Sequence, residues 1–160
     1  MTEPVDPWLK TTIVVFGWSQ IIFCLPVLVI LLFDLPRAGV LEILIRWGPG
    51  GAEQYEEMLA IIYVIWRHFC LKAANGPLEN RLFLDFTVCG NSDHYGIMTV
   101  MAVDNEEGHI HFIGDLLFAW AFYIPFVYVW TRSKREHGGV SRRYPAYASI
   151  YPDISHCMYI

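Results

Sequence analysis

Four long hydrophobic runs, separated by short polar or Gly/Pro-rich segments, dominate the pattern of the chain. They cover about residues 11–33, 55–74, 81–103 and 109–130. Each is close to the roughly 20 residues that a helix needs to cross about 30 Å of hydrocarbon. The first and fourth runs are the most apolar, whereas the second and third contain several polar residues. The pattern predicts an all-α, polytopic membrane protein with four transmembrane helices in an antiparallel bundle.

Turn-forming residues mark the ends of these runs. Pro36 follows the first run, residues 48–51 are Gly/Pro-rich and precede the second, and Pro77 separates the second from the third. Gly favours helix C-termini and Pro cannot continue a helix, so these positions predict loops. The acidic segment 104–108 separates the third run from the fourth. Apolar residues on one side of 38–47 predict a short amphipathic helix at the membrane interface.

The distribution of Lys and Arg predicts the orientation of the chain. Basic residues follow the fourth run, and the loop between the third and fourth runs contains none. The positive-inside rule therefore predicts that both termini are cytoplasmic. We divide the chain into a transmembrane domain, 1–133, and a non-helical cytoplasmic tail, 134–160. The alternative that the first run is a cleaved signal peptide is disfavoured, because the run exceeds the usual 7–15 residues and no small-x-small site follows it.

Composition excludes several classes of protein. Apolar residues make up 55% of the 160 residues and charged residues 17%, which is too apolar for a disordered or an ordinary soluble chain. The net charge of −5 provides no positive excess for nucleic-acid phosphates, so we expect no nucleic-acid partner. Cys24, Cys70 and Cys89 fall within runs and lack metal-site spacing, so they are interpreted as core residues. Cys157 formally fits a C-terminal prenylation box, but four spans make such an anchor redundant.

Ionisable residues within a span are costly and therefore tend to be functional or paired. Glu57, His94, His111 and Asp115 lie toward the outer end of the second, third and fourth runs, on faces that can converge. Three interpretations remain open: a transition-metal site for zinc, copper or iron, an acid–base pair acting on a lipophilic substrate, or structural contacts between helices. A haem bound by His94 and His111 is disfavoured because their expected depths differ.

A second polar group lies toward the inner end of the bundle. Asp85 is near the start of the third run, at a depth similar to that of Arg67 and His68 near the end of the second. Pairing neutralises buried charges, so Arg67, His68 and Asp85 are predicted to form a structural ion pair. Asp93 lies off the polar stripe of the third run and faces either the bundle or a partner.

The C-terminal tail is rich in Tyr and Pro and cannot build a core alone. Tyr144, Tyr147, Tyr151 and Tyr159 are predicted to contact a neighbouring subunit. The sequence contains no nucleophile elbow, phosphate loop, redox Cys pair or zinc-protease helix. We therefore expect an accessory or structural subunit of a larger membrane complex, with the lipid bilayer and other membrane subunits as its partners.

Two other functions remain open from the sequence. One is a small membrane-embedded metal-binding or acid–base enzyme that uses the Glu57, His94, His111 and Asp115 group. The other is a transporter or proton-relay element with Asp85 and His94 as steps along one helix. It ranks last, because four spans without an internal repeat are few for a transporter.

The stretch from Tyr55 to His94 resembles a family of small bacterial four-helix integral membrane proteins of unknown function. The matching residues are Tyr55, Met58, Ile62, Tyr63, Ala73, Ala74, Pro77, Arg81, Leu82, Phe86, Thr87, His94 and Met98. The resemblance covers about a third of the chain. It implies four membrane spans and a bacterial inner membrane, and implies nothing about chemistry. The Arg67–His68 pair and the aromatic tail depart from the family pattern.

Overall fold

Helices account for all of the regular secondary structure in the part of the chain that the structure describes. The structure, a computed structural model, describes residues 7–36, 39, 53–104 and 106–141. The helices are α1 (Pro7–Leu32), α2 (Glu53–Ala73), α3 (Arg81–Asp104) and α4 (Asp115–Ser141), with a 3₁₀ helix (Glu106–Phe112) between α3 and α4. The predicted all-α fold class is therefore confirmed.

Consecutive helices pack antiparallel, and short connections join α2 to α3 and α3 to α4. In the turn between α2 and α3, the Asn80 side chain donates a hydrogen bond to the Gly76 carbonyl oxygen (2.8 Å). α1 packs most extensively along α2 and also contacts α4, where the Phe16 and Phe126 rings stack with centroids 4.9 Å apart. The core residues from all four helices include Leu9, Ile13, Phe16, Cys70, Leu84, Val88, Tyr95, Tyr123, Phe126 and Trp130.

Several polar side chains lie inside the bundle beside its apolar core, and many large apolar side chains lie on its surface. The buried polar residues are Ser19, Gln20, Arg67, Asp85, Thr87, Asn91, His111, Asp115 and Ser133. The exposed apolar residues include Trp18, Ile22 and Val29 on α1, Met58, Ile62 and Ile65 on α2, Phe86, Ile97 and Val100 on α3, and Leu117, Ile124 and Tyr128 on α4. So many exposed large apolar side chains on every helix are unusual in a water-soluble helical bundle, whose outer face is normally polar.

The start of the fourth predicted span differs from the observed structure. A single helix beginning at His109 was expected, but His109 and His111 lie on the 3₁₀ helix and α4 begins at Asp115. A turn containing Gly114 separates the two helices, and the Gly114 N–H donates to the Ile110 carbonyl oxygen (3.1 Å). Glycine weakens a continuous α-helix at such a position, which explains the break.

The end of α4 also differs from the sequence prediction, which placed a non-helical tail from residue 134. The helix continues to Ser141. Arg132 Nε donates to Glu136 Oε1 (2.8 Å) one turn later, and Lys134 Nζ donates to Asp85 on α3. These contacts stabilise the helix beyond residue 133. The amphipathic helix predicted over 38–47 and the tail residues Tyr144, Tyr147, Tyr151, Cys157 and Tyr159 lie outside the described residues.

Gly90 allows α2 to approach α3 closely. A Cβ atom at Gly90 would lie 2.8 Å from Cη2 of the Trp66 ring, whereas a Cβ at Gly96 would meet nothing within 4 Å. Gly90→Ala is expected to lower the free energy of unfolding by about 1–2 kcal/mol, because the rigid ring must move. Gly96→Ala is the matched control, with an expected gain of up to about 1 kcal/mol from helix propensity. Thermal unfolding of the detergent-solubilised variants measures both, and equal effects would contradict this packing.

Candidate functional site: a polar layer inside the bundle

The buried polar residues occupy three levels along the bundle. Asp85 lies near the end of the bundle where α3 begins, Arg67 and Asn91 lie near the middle, and His111 and Asp115 lie at the opposite end. The middle level is the most distinctive, because it encloses a basic side chain.

Arg67 of α2 is completely buried and bonded to α3. Its Nη2 donates to Asn91 Oδ1 and, at 3.4 Å, to the Tyr95 hydroxyl. The Tyr95 hydroxyl in turn donates to Gln20 Oε1 of α1 (3.3 Å), and Asn91 Nδ2 donates to the Thr87 carbonyl oxygen (2.6 Å). We call Gln20, Arg67, Asn91 and Tyr95 the Arg67 layer. It connects three helices through side-chain hydrogen bonds.

Aromatic rings surround the Arg67 guanidinium. Its Cζ atom lies 4.6 Å from the centroid of the Phe16 ring, 5.0 Å from that of Tyr63 and 5.1 Å from that of Trp66. The negative faces of such rings attract a cation, and a desolvated contact contributes about 2 kcal/mol. Trp66 is itself fixed by a hydrogen bond from its Nε1 to Thr87 Oγ1 (2.9 Å). The rings therefore offset part of the cost of burying the positive charge.

The Arg67 layer has more hydrogen-bond donors than acceptors. Arg67 Nε, Arg67 Nη1 and Gln20 Nε2 are buried and have no hydrogen-bond partner in the structure. Within residues 7–36, 53–104 and 106–141, no acidic side chain forms an ion pair with Arg67. The layer therefore has an unneutralised charge and free N–H groups, a combination suited to binding an acceptor.

Asp85 does not form the predicted ion pair with Arg67 or His68. Its Oδ1 accepts from Trp130 Nε1 (2.8 Å) and Lys134 Nζ (2.5 Å) of α4, and Arg81 Nε is 3.7 Å from its Oδ2. Asp85 and Asn91 are six residues apart, so they point in different directions from α3. Consequently Asn91 contacts α2 and Asp85 contacts α4.

His111 and Asp115 form the expected close pair. His111 Nδ1 lies 2.9 Å from Asp115 Oδ1, and both side chains are buried. His94 is half-buried, with its ring centroid 5.3 Å from that of Tyr63, and Glu57 is also half-buried. In the described part of the chain, no group of three or more His, Cys, Asp or Glu side chains is placed to hold a metal ion. The larger site that includes Glu57 and His94 stays a prediction.

Sequence reasoning did not identify several residues of these clusters. Gln20 had a detectable signal, because it is a lone amide within an otherwise apolar run. Tyr95 follows Asn91 by four residues, a spacing that places both on one helix face. Lys134 was missed because it was assigned to a non-helical tail. Trp130 had no distinguishing signal, since tryptophan is common near membrane interfaces.

The comparisons with known proteins do not identify a family for this chain. No family model, no curated protein and no solved structure matches it. The resemblance described from the sequence therefore stays a prediction.

Proposed function

We propose that all four helices cross a lipid bilayer. α1 from Trp8 and the stretch His109–Glu136 are each long and apolar enough for a span. α2 and α3 contain 21 and 24 residues, which is also sufficient for about 30 Å of hydrocarbon. Their polar residues lower the hydropathy of the helices, but Arg67, Asp85 and Asn91 are buried within the bundle. Large apolar side chains occupy much of the surface left for lipid.

We further propose that the chain is an accessory subunit of a larger membrane complex. The observation that carries this proposal is the exposure of Asp93 near the middle of α3. Asp93 is about 18 Å from the Arg81 end of the helix, so it would lie near the centre of the membrane. An exposed carboxylate is costly in hydrocarbon, whereas a partner helix with a cationic or donor side chain accommodates it.

The surface around Asp93 also permits close helix packing. Gly96 lies one turn after Ser92 on α3, and a Cβ at Gly96 would meet nothing within 4 Å. The Ser92 hydroxyl lies 2.5 Å from that of Tyr123 on α4, so Ser92 forms the edge of this surface nearest α4. Ile97 and Val100 continue this surface and are 62% and 59% exposed. We call Ser92, Asp93, Gly96, Ile97 and Val100 the Asp93 face. Small residues beside a polar group are typical of helix–helix contacts in membranes.

Charge favours a different membrane protein over a second copy of this chain as the partner. A symmetric dimer about an axis along the membrane normal brings equal levels together, so Asp93 faces its own counterpart. Among the described residues, the exposed Lys and Arg side chains lie toward helix ends, and Arg67, near the level of Asp93, is buried. A distinct helix with a Lys or Arg near its centre complements the Asp93 face.

Photocrosslinking in native membranes tests this proposal. A photoreactive residue replacing Ile97 is expected to form an adduct of defined mass with a second polypeptide. Asp93→Leu should reduce that adduct at least about tenfold, because the partner's cation then lacks its counter-charge. A photoreactive residue at Ile65, an exposed position on α2 near the same level, is the matched control and is expected to label lipid.

Two results would contradict the accessory-subunit proposal. One is labelling of lipid alone from Ile97, as from Ile65. The other is a protein adduct whose yield Asp93→Leu leaves unchanged. Leucine suits a helix surface in lipid, so the variant itself should fold.

The remaining features of the proposed complex follow from the sequence. The distribution of Lys and Arg assigns both termini to the cytoplasm, and the resemblance described from the sequence assigns the protein to a bacterial inner membrane. The tail residues Tyr144, Tyr147, Tyr151 and Tyr159 provide a second contact with the partner subunit. They lie outside the described residues, so the Asp93 face is the part of the interface whose geometry supports the proposal.

The buried His111–Asp115 pair favours a second candidate function, that of a membrane-embedded acid–base or metal-binding enzyme. A carboxylate that accepts a hydrogen bond from an imidazole nitrogen orients the ring, and His–carboxylate pairs of this kind occur in acid–base and metal sites. Glu57 and His94 are the further residues assigned to this site. Elemental analysis of the purified protein separates the two branches, since stoichiometric zinc, copper or iron supports the metal-binding branch alone.

A further inference from the structure

The Arg67 layer contains a buried positive charge, and no acidic side chain in the described part of the chain forms an ion pair with it. Asp85 is bonded to Trp130 and Lys134, and Asp115 is bonded to His111. Asp93 is exposed. The acidic side chains nearest the middle of the bundle are therefore engaged elsewhere or directed away from Arg67. Arginine also stays protonated in proteins, so it cannot reduce the cost of burial by losing its charge.

The unpartnered groups of the layer suit a hydrogen-bond acceptor. The unpartnered groups on Arg67 are both N–H donors, Nε and Nη1, and the Gln20 amide nitrogen is unpartnered as well. Tyr95 connects these two side chains, since its hydroxyl contacts both Arg67 and Gln20. A neutral acceptor would satisfy the hydrogen bonds and leave the charge, whereas an anion satisfies both.

The geometry points to a binding site for one monovalent anion at the Arg67 layer, between α1, α2 and α3. Arg67 provides the charge and two donor groups, and Gln20 provides a third donor group. The rings of Phe16, Tyr63 and Trp66 exclude water from the guanidinium. A halide ion and the carboxylate of a lipophilic acid share this chemistry. Arg67 is 0% exposed, so uptake of either requires movement of the surrounding side chains.

Thermal unfolding of the purified full chain in a neutral detergent tests the anion site. The buffer contains bulky sulfonates as its only anions, and sodium chloride or dodecanoate is titrated in, with sodium gluconate as the control for ionic strength. At about 100 times the dissociation constant, one of the two anions is expected to raise Tm by about 5–10 °C relative to gluconate. A rise with chloride alone indicates a halide site, and a rise with dodecanoate alone indicates a carboxylate site.

Three variants test whether the rise in Tm arises from binding at the Arg67 layer. Arg67→Met, which replaces the guanidinium by an apolar chain, should abolish the rise in Tm. Asn91→Asp, which places a carboxylate beside Arg67, should also abolish it by providing an internal counter-charge. Arg132→Gln removes an arginine whose side chain is 62% exposed and should retain the full rise. An equal rise in Arg67→Met and the wild type would overturn the proposal.

If the Arg67 variants do not fold, equilibrium dialysis of the wild-type protein tests whether it binds an anion. Radiolabelled chloride and radiolabelled dodecanoate are the two probes, each measured against protein in the same detergent. Saturable binding of about one anion per chain supports the site. Absence of saturable binding of both anions would overturn it. The proposal is independent of the subunit role, because it concerns the interior of the bundle and not the Asp93 face.

Discussion

Asn91→Leu is expected to lower the free energy of unfolding by about 3–5 kcal/mol. Leucine has a similar volume but cannot accept the hydrogen bond that Arg67 Nη2 donates to Asn91 Oδ1. The guanidinium is completely buried and cannot reach water to replace that bond. The variant therefore keeps the charge inside the bundle while removing its nearest polar partner. Thermal unfolding in detergent should show a decrease in Tm of about 10 °C.

The same substitution at an exposed position controls for the change of amino acid. Asn75 lies in the turn after α2 and is exposed, so Asn75→Leu should change the free energy of unfolding by less than about 0.5 kcal/mol. A comparably small effect of Asn91→Leu would show that Asn91 does not stabilise the buried guanidinium. Combining Asn91→Leu with Arg67→Met should recover much of the loss, because no buried charge then remains.

Asp85→Leu is expected to lower the free energy of unfolding by about 2–4 kcal/mol. Asp85 accepts from the indole of Trp130, which is 0% exposed, and leucine leaves that N–H without an acceptor. Lys134 loses its counter-charge too, although its partly exposed side chain can turn toward water. Chemical unfolding in detergent measures the difference from the wild type.

A double-mutant cycle attributes this loss to the Trp130–Asp85 contact. Trp130→Phe removes the donor and retains most of the aromatic packing. If the two side chains stabilise the bundle through their hydrogen bond, the double variant should be more stable than the sum of the two single losses implies. Strict additivity would contradict that interpretation. Asp85→Asn retains an acceptor oxygen and should cost less than Asp85→Leu.

Hydropathy and turn residues were sufficient to locate the helices. α2 and α3 begin and end close to the predicted runs, because Gly/Pro-rich segments border α2 and an acidic segment follows α3. The 3₁₀ helix before α4 was not predicted, since the periodicity around His109 and His111 is compatible with either type of helix. The extension of α4 to Ser141 was not predicted either. It is supported by the contact of Lys134 with Asp85, a long-range interaction that local sequence does not reveal.

Most ionisable residues of the polar clusters were identified from the sequence, but not all of the contacts between them. Arg67, Asp85, His111 and Asp115 were identified because ionisable groups are costly within a span. The His111–Asp115 contact followed from their spacing of four residues. The predicted partner of Asp85 was wrong, because depth along the bundle does not specify the direction in which a side chain leaves its helix. Asn91, a neutral side chain, contacts Arg67 in the place where a carboxylate was expected.

The bond between Arg67 and Asn91 has a consequence for how the proposed membrane protein is inserted. An isolated α2 would present its guanidinium to the hydrocarbon, which strongly disfavours partition of that segment alone. The turn over residues 74–80 places α3 beside α2, and Asn91 and Tyr95 then cover the cation. We infer that α2 and α3 enter the bilayer together as a helical hairpin, so that biogenesis depends on the integrity of this turn.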